Sequence, residues 1–295
     1  MKLAAIDIGS NAARLLITEV TTDDKNKPSF NKISLIRVPL RLGFDVFEIC
    51  KISGGKIELL LNTMKGFSNL IKAFQVISYK ACATSAMRDA ANASEIISLI
   101  KNETGIEIEV ITGSQEASFV FENHIAENMD KDHSYLYIDV GGGSTELTFY
   151  SNNSLIFKDS FNIGTIRLLK KAVPDETWDE MKNDIKLKTK GQKQVTAIGS
   201  GGNINKIFSL SKRKDGKPLS LELLRDYYKE LSNVSLEDRI NIYKLRDDRA
   251  DVIVPALQIY INVMRWAGAT EIYVPKIGLA DGLVQHLWGK QRNIE

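Results

Sequence analysis

Two short acidic, glycine-rich loops constrain this chain more than any other feature: Asp7-Ile8-Gly9-Ser10-Asn11 and Asp139-Val140-Gly141-Gly142-Gly143-Ser144-Thr145-Glu146. Each follows a short apolar strand, Leu3 to Ile6 before the first and Tyr135 to Ile138 before the second. Each sets a carboxylate at the strand's C-terminal end, then strips side chains from the backbone that must turn. Bare glycine N–H groups can come close to phosphate oxygens, and the hydroxyls of Ser10, Ser144 and Thr145 add donors. Asp7, Asp139 and Glu146 can hold a hard cation between themselves and the phosphates. One such loop says little. Two, far apart in the chain and in the same strand–loop context, predict a duplicated fold with a phosphate clamped between its halves.

At 295 residues the chain is long enough for two domains with their own cores. Hydrophobic residues make up 43% and charged residues 26%, as in ordinary soluble globular proteins. The net charge of +2 supplies no overall field toward nucleic acid. Cys50 and Cys82 are too few for a disulfide framework; they fit a reducing compartment and small buried sites. The N-terminus lacks a signal-peptide run, and no segment has the length of a membrane span. The expectation is a cytoplasmic protein with neither a nucleic-acid nor a membrane partner.

Along the chain, the first strand is followed by a hairpin partner near Leu15 to Glu19 and a third strand over Asn31 to Pro39. A loop is expected from Arg41-Leu42-Gly43 through Ser53-Gly54-Gly55. Ile57 to Phe74 has helical spacing, with Leu60, Leu61, Met64, Phe67, Leu70, Ile71 and Phe74 on one side. Val76 to Cys82 reads as a strand, Thr84 to Arg88 opens a helix, and Glu95 to Lys101 is helical. Glu107 to Ile111 is a strand, after which Thr112-Gly113-Ser114 caps a helix from Gln115. A boundary falls near residues 120–128. The second half repeats the theme: Tyr135 to Ile138, the long loop, and Glu146 to Tyr150. A turn at Gly164 opens a helix through Leu169, and Trp178 to Lys190 is helical. Strand Gln194 to Ile198 then meets Gly199-Ser200-Gly201-Gly202-Asn203. Helices follow until strand Glu271 to Pro275, Gly278-Leu279-Ala280-Asp281-Gly282 and a last helix.

Five stretches, in order, resemble the exopolyphosphatase / guanosine pentaphosphate phosphohydrolase (Ppx/GppA) family of the actin-like superfamily. They are Ala5 to Asn11, Ala83 to Asn92, Ile111 to Ala117, Ile138 to Leu147, and Ala197 to Gly202. The acidic loops alone fit the whole superfamily; the Arg88 and Glu116 stretches narrow it. The resemblance implies an α/β fold of two actin-like (ribonuclease H-like) domains flanking a phosphate-binding cleft. The domains would be 1–123 and 124–280, with the helix at 281–295 packing back on the first. It also implies that Glu116 is catalytic, orienting or deprotonating the attacking water. The plainer alternative for Glu116 is a first-turn acid that only favours the helix dipole.

The phosphate-binding set is then Ser10, Asn11, Arg88, Gly141, Gly142, Gly143, Ser144, Thr145 and Gly201, and the metal set is Asp7, Asp139 and Glu146, with Mg²⁺ or Mn²⁺ as cofactor. Arg88 offers a fork suited to paired oxygens; Arg167 is a weaker candidate of the same kind. Lys212-Arg213-Lys214 reads as a basic exposed loop. Other chemistries find no support. His124, His133 and His286 lack metal-ligand spacing, and Asp247-Asp248-Arg249-Ala250-Asp251 reads as the cap of the long helix after it. Ala12-Ala13 and Asn203 depart from the family's usual residues. The longer relatives' additional C-terminal helical domains are not expected here.

The leading expectation is release of terminal phosphate from inorganic polyphosphate, with hydrolysis of guanosine pentaphosphate as the close alternative. More distant alternatives are a sugar or acetate kinase that seats adenosine on Gly199 to Gly202, and a non-catalytic polyphosphate or alarmone sensor. A homodimer is implied by resemblance only.

Overall fold

The computed structural model describes residues 1–25, 27–121, 133–152, 154–192 and 194–292. The expected boundary at 120–128 falls largely outside them, as does His124. By internal contacts the chain forms two compact units, Met1–Asn123 with Leu279–Glu295, and His124–Gly278.

The first unit opens with β1 (Lys2–Ile8), β2 (Ala12–Thr22) and β3 (Pro28–Pro39), then α1 (Gly43–Ile49) and α2 (Gly54–Ala73). β4 (Ser78–Ala83), α3 (Ser85–Asp89), α4 (Ala93–Thr104), β5 (Ile108–Val110) and α5 (Gly113–Phe121) follow. The second unit holds β6 (Ser134–Val140), β7 (Thr145–Ser151), β8 (Ser154–Phe161), α6 (Thr165–Leu169) and α7 (Asp175–Thr189). Next come β9 (Val195–Ser200), α8 (Gly202–Leu210), β10 (Leu219–Ser220), α9 (Leu221–Ser232), α10 (Leu236–Asn241), α11 (Asp247–Ala250), α12 (Ile253–Ala267) and β11 (Glu271–Tyr273). α13 (Leu279–Arg292) returns the chain to the first unit.

The sheets run β3-β2-β1-β4-β5 and β8-β7-β6-β9-β11-β10. In both, three antiparallel strands lead into parallel ones, β1 with β4 and β6 with β9. The duplication is therefore one of topology as well as of loops.

β1 lies between β2 and β4, and helices pack on both its faces, so its sequence is apolar almost throughout. Ala4, Ile6 and Ile8 pack with Leu60, Met64 and Phe67 of α2. Leu3 and Ala5 point the other way, among Leu283, Val284 and Leu287 of α13. Burying one such large side chain stabilises the fold by roughly 1.5–3 kcal/mol. By the same two-residue period, Asp7 lies on the α13 side. In the second unit Leu136 and Ile138 of β6, Leu147 and Phe149 of β7, and Ile253, Tyr260 and Met264 of α12 share one core. α12 stops at Gly268, whose φ of 70° is the left-handed cap that glycine adopts without strain.

Three expectations change. The segment after Arg41 is not all loop: α1 forms there, and α2 begins at Gly54 itself. The Asp45 carboxylate holds this turn by accepting from the Lys56 ammonium and, at 3.0 Å, from the Ser53 N–H. β8 was not read from the sequence, although it forms the outer strand of the second sheet's hairpin ladder. Cys82 is buried as expected, but Cys50 is exposed. Among the described residues, no helix is long and apolar enough to cross a membrane.

The two thiols should therefore react very differently. Burial pushes the Cys82 thiol up to about 12. Folding thus favours its protonated form; that contribution is complete below an ordinary thiol value of about 8.5 and is lost as pH rises through the folded value. At pH 8 a disulfide reagent should label Cys50 in the native protein and reach Cys82 only after denaturation. Equal rates for both thiols in the native state would contradict this placement.

Candidate active site

In the first unit the hairpin register sets Asp7 directly opposite Arg14. Residues opposite one another share a face, and the Arg14 guanidinium binds the Asp7 carboxylate at 2.5 Å. Asp7, expected as a metal carboxylate, thus has an arginine of the chain beside it. In the loop, Gly9 N–H donates to the Ala12 carbonyl, and the Ser10 and Ser85 hydroxyls share a hydrogen bond of 2.8 Å. The Ser10 carbonyl accepts from Gly43 N–H, and the Asn11 carbonyl from Leu40 and Arg41 N–H. α1 thus begins by gripping the loop's carbonyls.

α5, which carries Glu116, has a reciprocal cap. Thr112 Oγ1 accepts from Gln115 N–H at 3.2 Å, while Gln115 Oε1 accepts from Thr112 N–H at 2.8 Å. Glu116 is buried on the next position of that turn. Arg88, from α3, donates through Nη1 to the Ile111 carbonyl at 3.0 Å. One of its five N–H groups is used there, which tethers one end of the guanidinium. The fold thus brings Arg88 to the strand end from which α5 starts. Asp7 and Glu116 both act electrostatically on the Cys82 thiol, and Cys82 lies beside Asp7 in the β1–β4 register.

In the second unit the same hairpin position is filled differently. Asp139 stands directly opposite Glu146. Glu146 is 3% exposed, and its Oε1 accepts from the Ser160 hydroxyl at 2.8 Å. Two carboxylates placed opposite destabilise a ladder unless a cation joins them. An all-oxygen donor pair suits a hard divalent cation, which takes one or two carboxylates and keeps waters or phosphate oxygens elsewhere. Among the described residues, no group of three or more His, Cys, Asp or Glu side chains is arranged to hold a metal ion.

The glycine loop beside this pair is bound through its carbonyls. Thr165 N–H donates to the Gly141 carbonyl at 3.0 Å, and Ile166 N–H to Gly142 at 2.8 Å. Arg167 Nε donates to Gly143 at 2.7 Å. Arg167, expected as a weak phosphate candidate, braces the loop here. The Thr145 hydroxyl, expected at phosphate, donates to the Ile163 carbonyl at 2.6 Å. With their carbonyls held by α6, the peptide N–H groups along Gly142 and Gly143 are directed away from it. Gly164 makes room for this grip: a Cβ there would meet the backbone of Gly142 and Gly143 at 2.5 Å.

Gly201 sits at the C-terminal end of β9 with φ 101°, a conformation for glycine. A Cβ on it would lie 3.0 Å from Asp139 Oδ1. Tyr260, fully buried, donates its hydroxyl to the Ser200 carbonyl at 2.5 Å beneath the same turn. Burial first, and then the nearby Asp139 charge, pushes its phenol well above the usual range.

Sequence reasoning missed Arg249. Its guanidinium lies against Gly202, where a Cβ would fall 2.7 Å from Nη1. Its stretch does not cap α12: Asp247 and Asp248 occupy the first turn of α11, and α12 starts without a side-chain cap. No local pattern announces this arginine, because a chain segment some 46 residues away delivers it to Asn203.

A sequence model of the Ppx/GppA phosphatase family matches residues 20–291. The bifunctional 3-dehydroquinate synthase/phosphatase of Fusobacterium nucleatum is 29% identical over 244 residues, 81% of this chain and 35% of that protein. The chain therefore spans about a third of that relative. Exopolyphosphatase 1 of Mycobacterium tuberculosis is 24% identical over 304 residues, 96% of this chain and 87% of the relative. The crystal structure of the Aquifex aeolicus Ppx/GppA family member superposes with a TM-score of 0.75 at 26% identity, covering 98% of each chain. The fold is thus the α/β fold of that family, built from actin-like halves.

Gly164→Ala tests the loop grip. It should force the Gly142–Gly143 backbone to move, destabilise the protein by about 1–3 kcal/mol as overpacking does, and weaken phosphate binding. Gly54→Ala, where a Cβ meets nothing within 4 Å, should do neither. Thermal unfolding and phosphate titration of the two variants read the difference.

Proposed function

The chain belongs to the Ppx/GppA phosphatase family, and from that premise we propose that it is a divalent-metal-dependent phosphohydrolase removing terminal phosphate from inorganic polyphosphate. Phosphatases of this family hydrolyse phosphoric anhydride bonds. The observation that carries the proposal is the second hairpin: the Asp139–Glu146 pair beside a glycine loop whose carbonyls are held by α6. The mycobacterial relative, by its name an exopolyphosphatase, favours polyphosphate as the substrate.

Phosphoryl transfer to water needs positioning and charge neutralisation more than covalent help. Glu116 accepts a hydrogen bond from the attacking water, orients its lone pair along the line of attack, and takes up its proton as the P–O bond forms. Gly142 and Gly143 N–H groups donate to phosphoryl oxygens as charge shifts onto them. The Arg88 guanidinium, tethered at the Ile111 carbonyl, pairs with a neighbouring phosphate. The bond to the next phosphate breaks, and the shortened polymer leaves as the anion. A Mg²⁺ or Mn²⁺ ion on Asp139 and Glu146 would neutralise charge on the phosphate oxygens. Arg249 and Ser10 are additional anion contacts in this reading.

Phosphate release from polyphosphate and from guanosine pentaphosphate, with Mg²⁺ and with EDTA, tests it. Release from polyphosphate should require the metal. Glu116→Gln should lower kcat by about 10²–10⁴-fold, the usual range for a lost general base, with KM little changed. Glu146→Gln should raise the Mg²⁺ concentration needed for half-maximal rate. Release from guanosine pentaphosphate alone would move the substrate assignment; binding without release from either would leave a sensor.

A further inference from the structure

We propose that Gly282 of α13 is a positioning residue for Glu116, acting through the axial placement of α5; the functional half of this statement rests on the role proposed for Glu116. A glycine inside a helix costs about 1 kcal/mol relative to alanine, so its presence at a buried helical position asks for a reason. Here the reason is contact. A Cβ on Gly282 would fall 1.7 Å from the Phe119 carbonyl oxygen and 2.4 Å from its carbon. Phe119 stands on α5, one helical turn after Glu116. The bare Gly282 Cα lets that carbonyl approach α13 directly, the geometry of a Cα–H···O contact between helices.

The rest of the seat keeps α13 rigid. Leu283 and Val284 are buried against Leu3, Ala5 and Leu16 of β1 and β2. Asp281 pairs with Lys32 of β3 at 2.6 Å. One turn beyond Gly282, the His286 ring packs edge-on against Phe119 at 5.0 Å between centroids. α5 is therefore fixed twice: at its start by the Thr112–Gln115 cap, and in its last turn by α13. Glu116 lies between the two points, one helical turn before Phe119, so a shift of the second point moves its carboxylate. Such a shift is enough to matter, since misplacing a catalytic group by about 1 Å can cost about 10²-fold in rate.

Gly289 provides a control on the same helix. A Cβ there meets nothing within 4 Å, so Gly289→Ala adds the same methyl without touching α5. Gly282→Ala should lower kcat for phosphate release at least tenfold with little change in KM, while Gly289→Ala leaves both unchanged. In a Glu116→Gln background, Gly282→Ala should produce no further fall, because the group it displaces is already gone. Should Gly282→Ala fail to fold, His286→Ala removes the ring on Phe119 without adding bulk and should give a smaller kcat loss with the same non-additivity. Crystal structures of wild type and Gly282→Ala should differ by about 1 Å or more at the Glu116 carboxylate. An unmoved carboxylate, an unchanged kcat in the folded variant, or an equal fall in the Glu116→Gln background would each overturn the inference. If Glu116→Gln itself retains full activity, the role given to Glu116 fails instead, and the displacement between the two crystal structures alone decides whether Gly282 seats α5.

Discussion

The grip of backbone N–H groups, at a helix start or just ahead of it, on the carbonyls of a tight glycine loop is the interaction on which the rest depends, and the chain builds it twice. In the first unit Gly43, Leu40 and Arg41 N–H groups hold the Ser10 and Asn11 carbonyls. In the second, Thr165 and Ile166 N–H groups hold those of Gly141 and Gly142. A peptide whose carbonyl is fixed in one direction presents its N–H in the other, and successive N–H groups set this way form an anion-binding concavity. The helices α1 and α6, short as they are, satisfy their own unpaired first-turn donors in the same act. In the proposed site, phosphate binding and helix capping would be two outcomes of one arrangement of backbone groups.

The two copies differ in what stands opposite their aspartates. Asp7 faces Arg14, so its countercharge is part of the chain. Asp139 faces Glu146, so the second hairpin gathers negative charge. Like charges set directly opposite in a ladder destabilise it. A cation from solution held there, as proposed, would offset that charge.

Much of this was legible in the sequence because the signals are local. Asp7, Gly9, Asp139 and the Gly141–Gly143 run sit within a few residues of the strands that place them, and Leu60, Met64 and Phe67 mark α2 by their spacing. α1 and β8 were missed for opposite reasons. Gly43 to Ile49 is too short to show a helical period, and Ser154 to Phe161 begins with residues that read as a turn. Each has a counterpart that was recognised: β3 precedes α1 as β8 precedes α6. Laying one half over the other would have supplied both. The ion pair of Arg14 was also within reach, since the hairpin register that aligns Glu146 with Asp139 aligns Arg14 with Asp7. Arg249 at Gly202 and Phe119 at Gly282 were not, because each joins segments distant in the chain.

The most direct test of the account is the amide response of the loop glycines in protein labelled with ¹⁵N-glycine, followed by NMR as polyphosphate and Mg²⁺ are added. The resonances of Gly142 and Gly143 should shift strongly, while those of Gly54 and Gly191, where a Cβ meets nothing within 4 Å, stay in place. Unshifted Gly142 and Gly143 amides at saturating polyphosphate would contradict the claim that the carbonyl grip exists to present these N–H groups to phosphate.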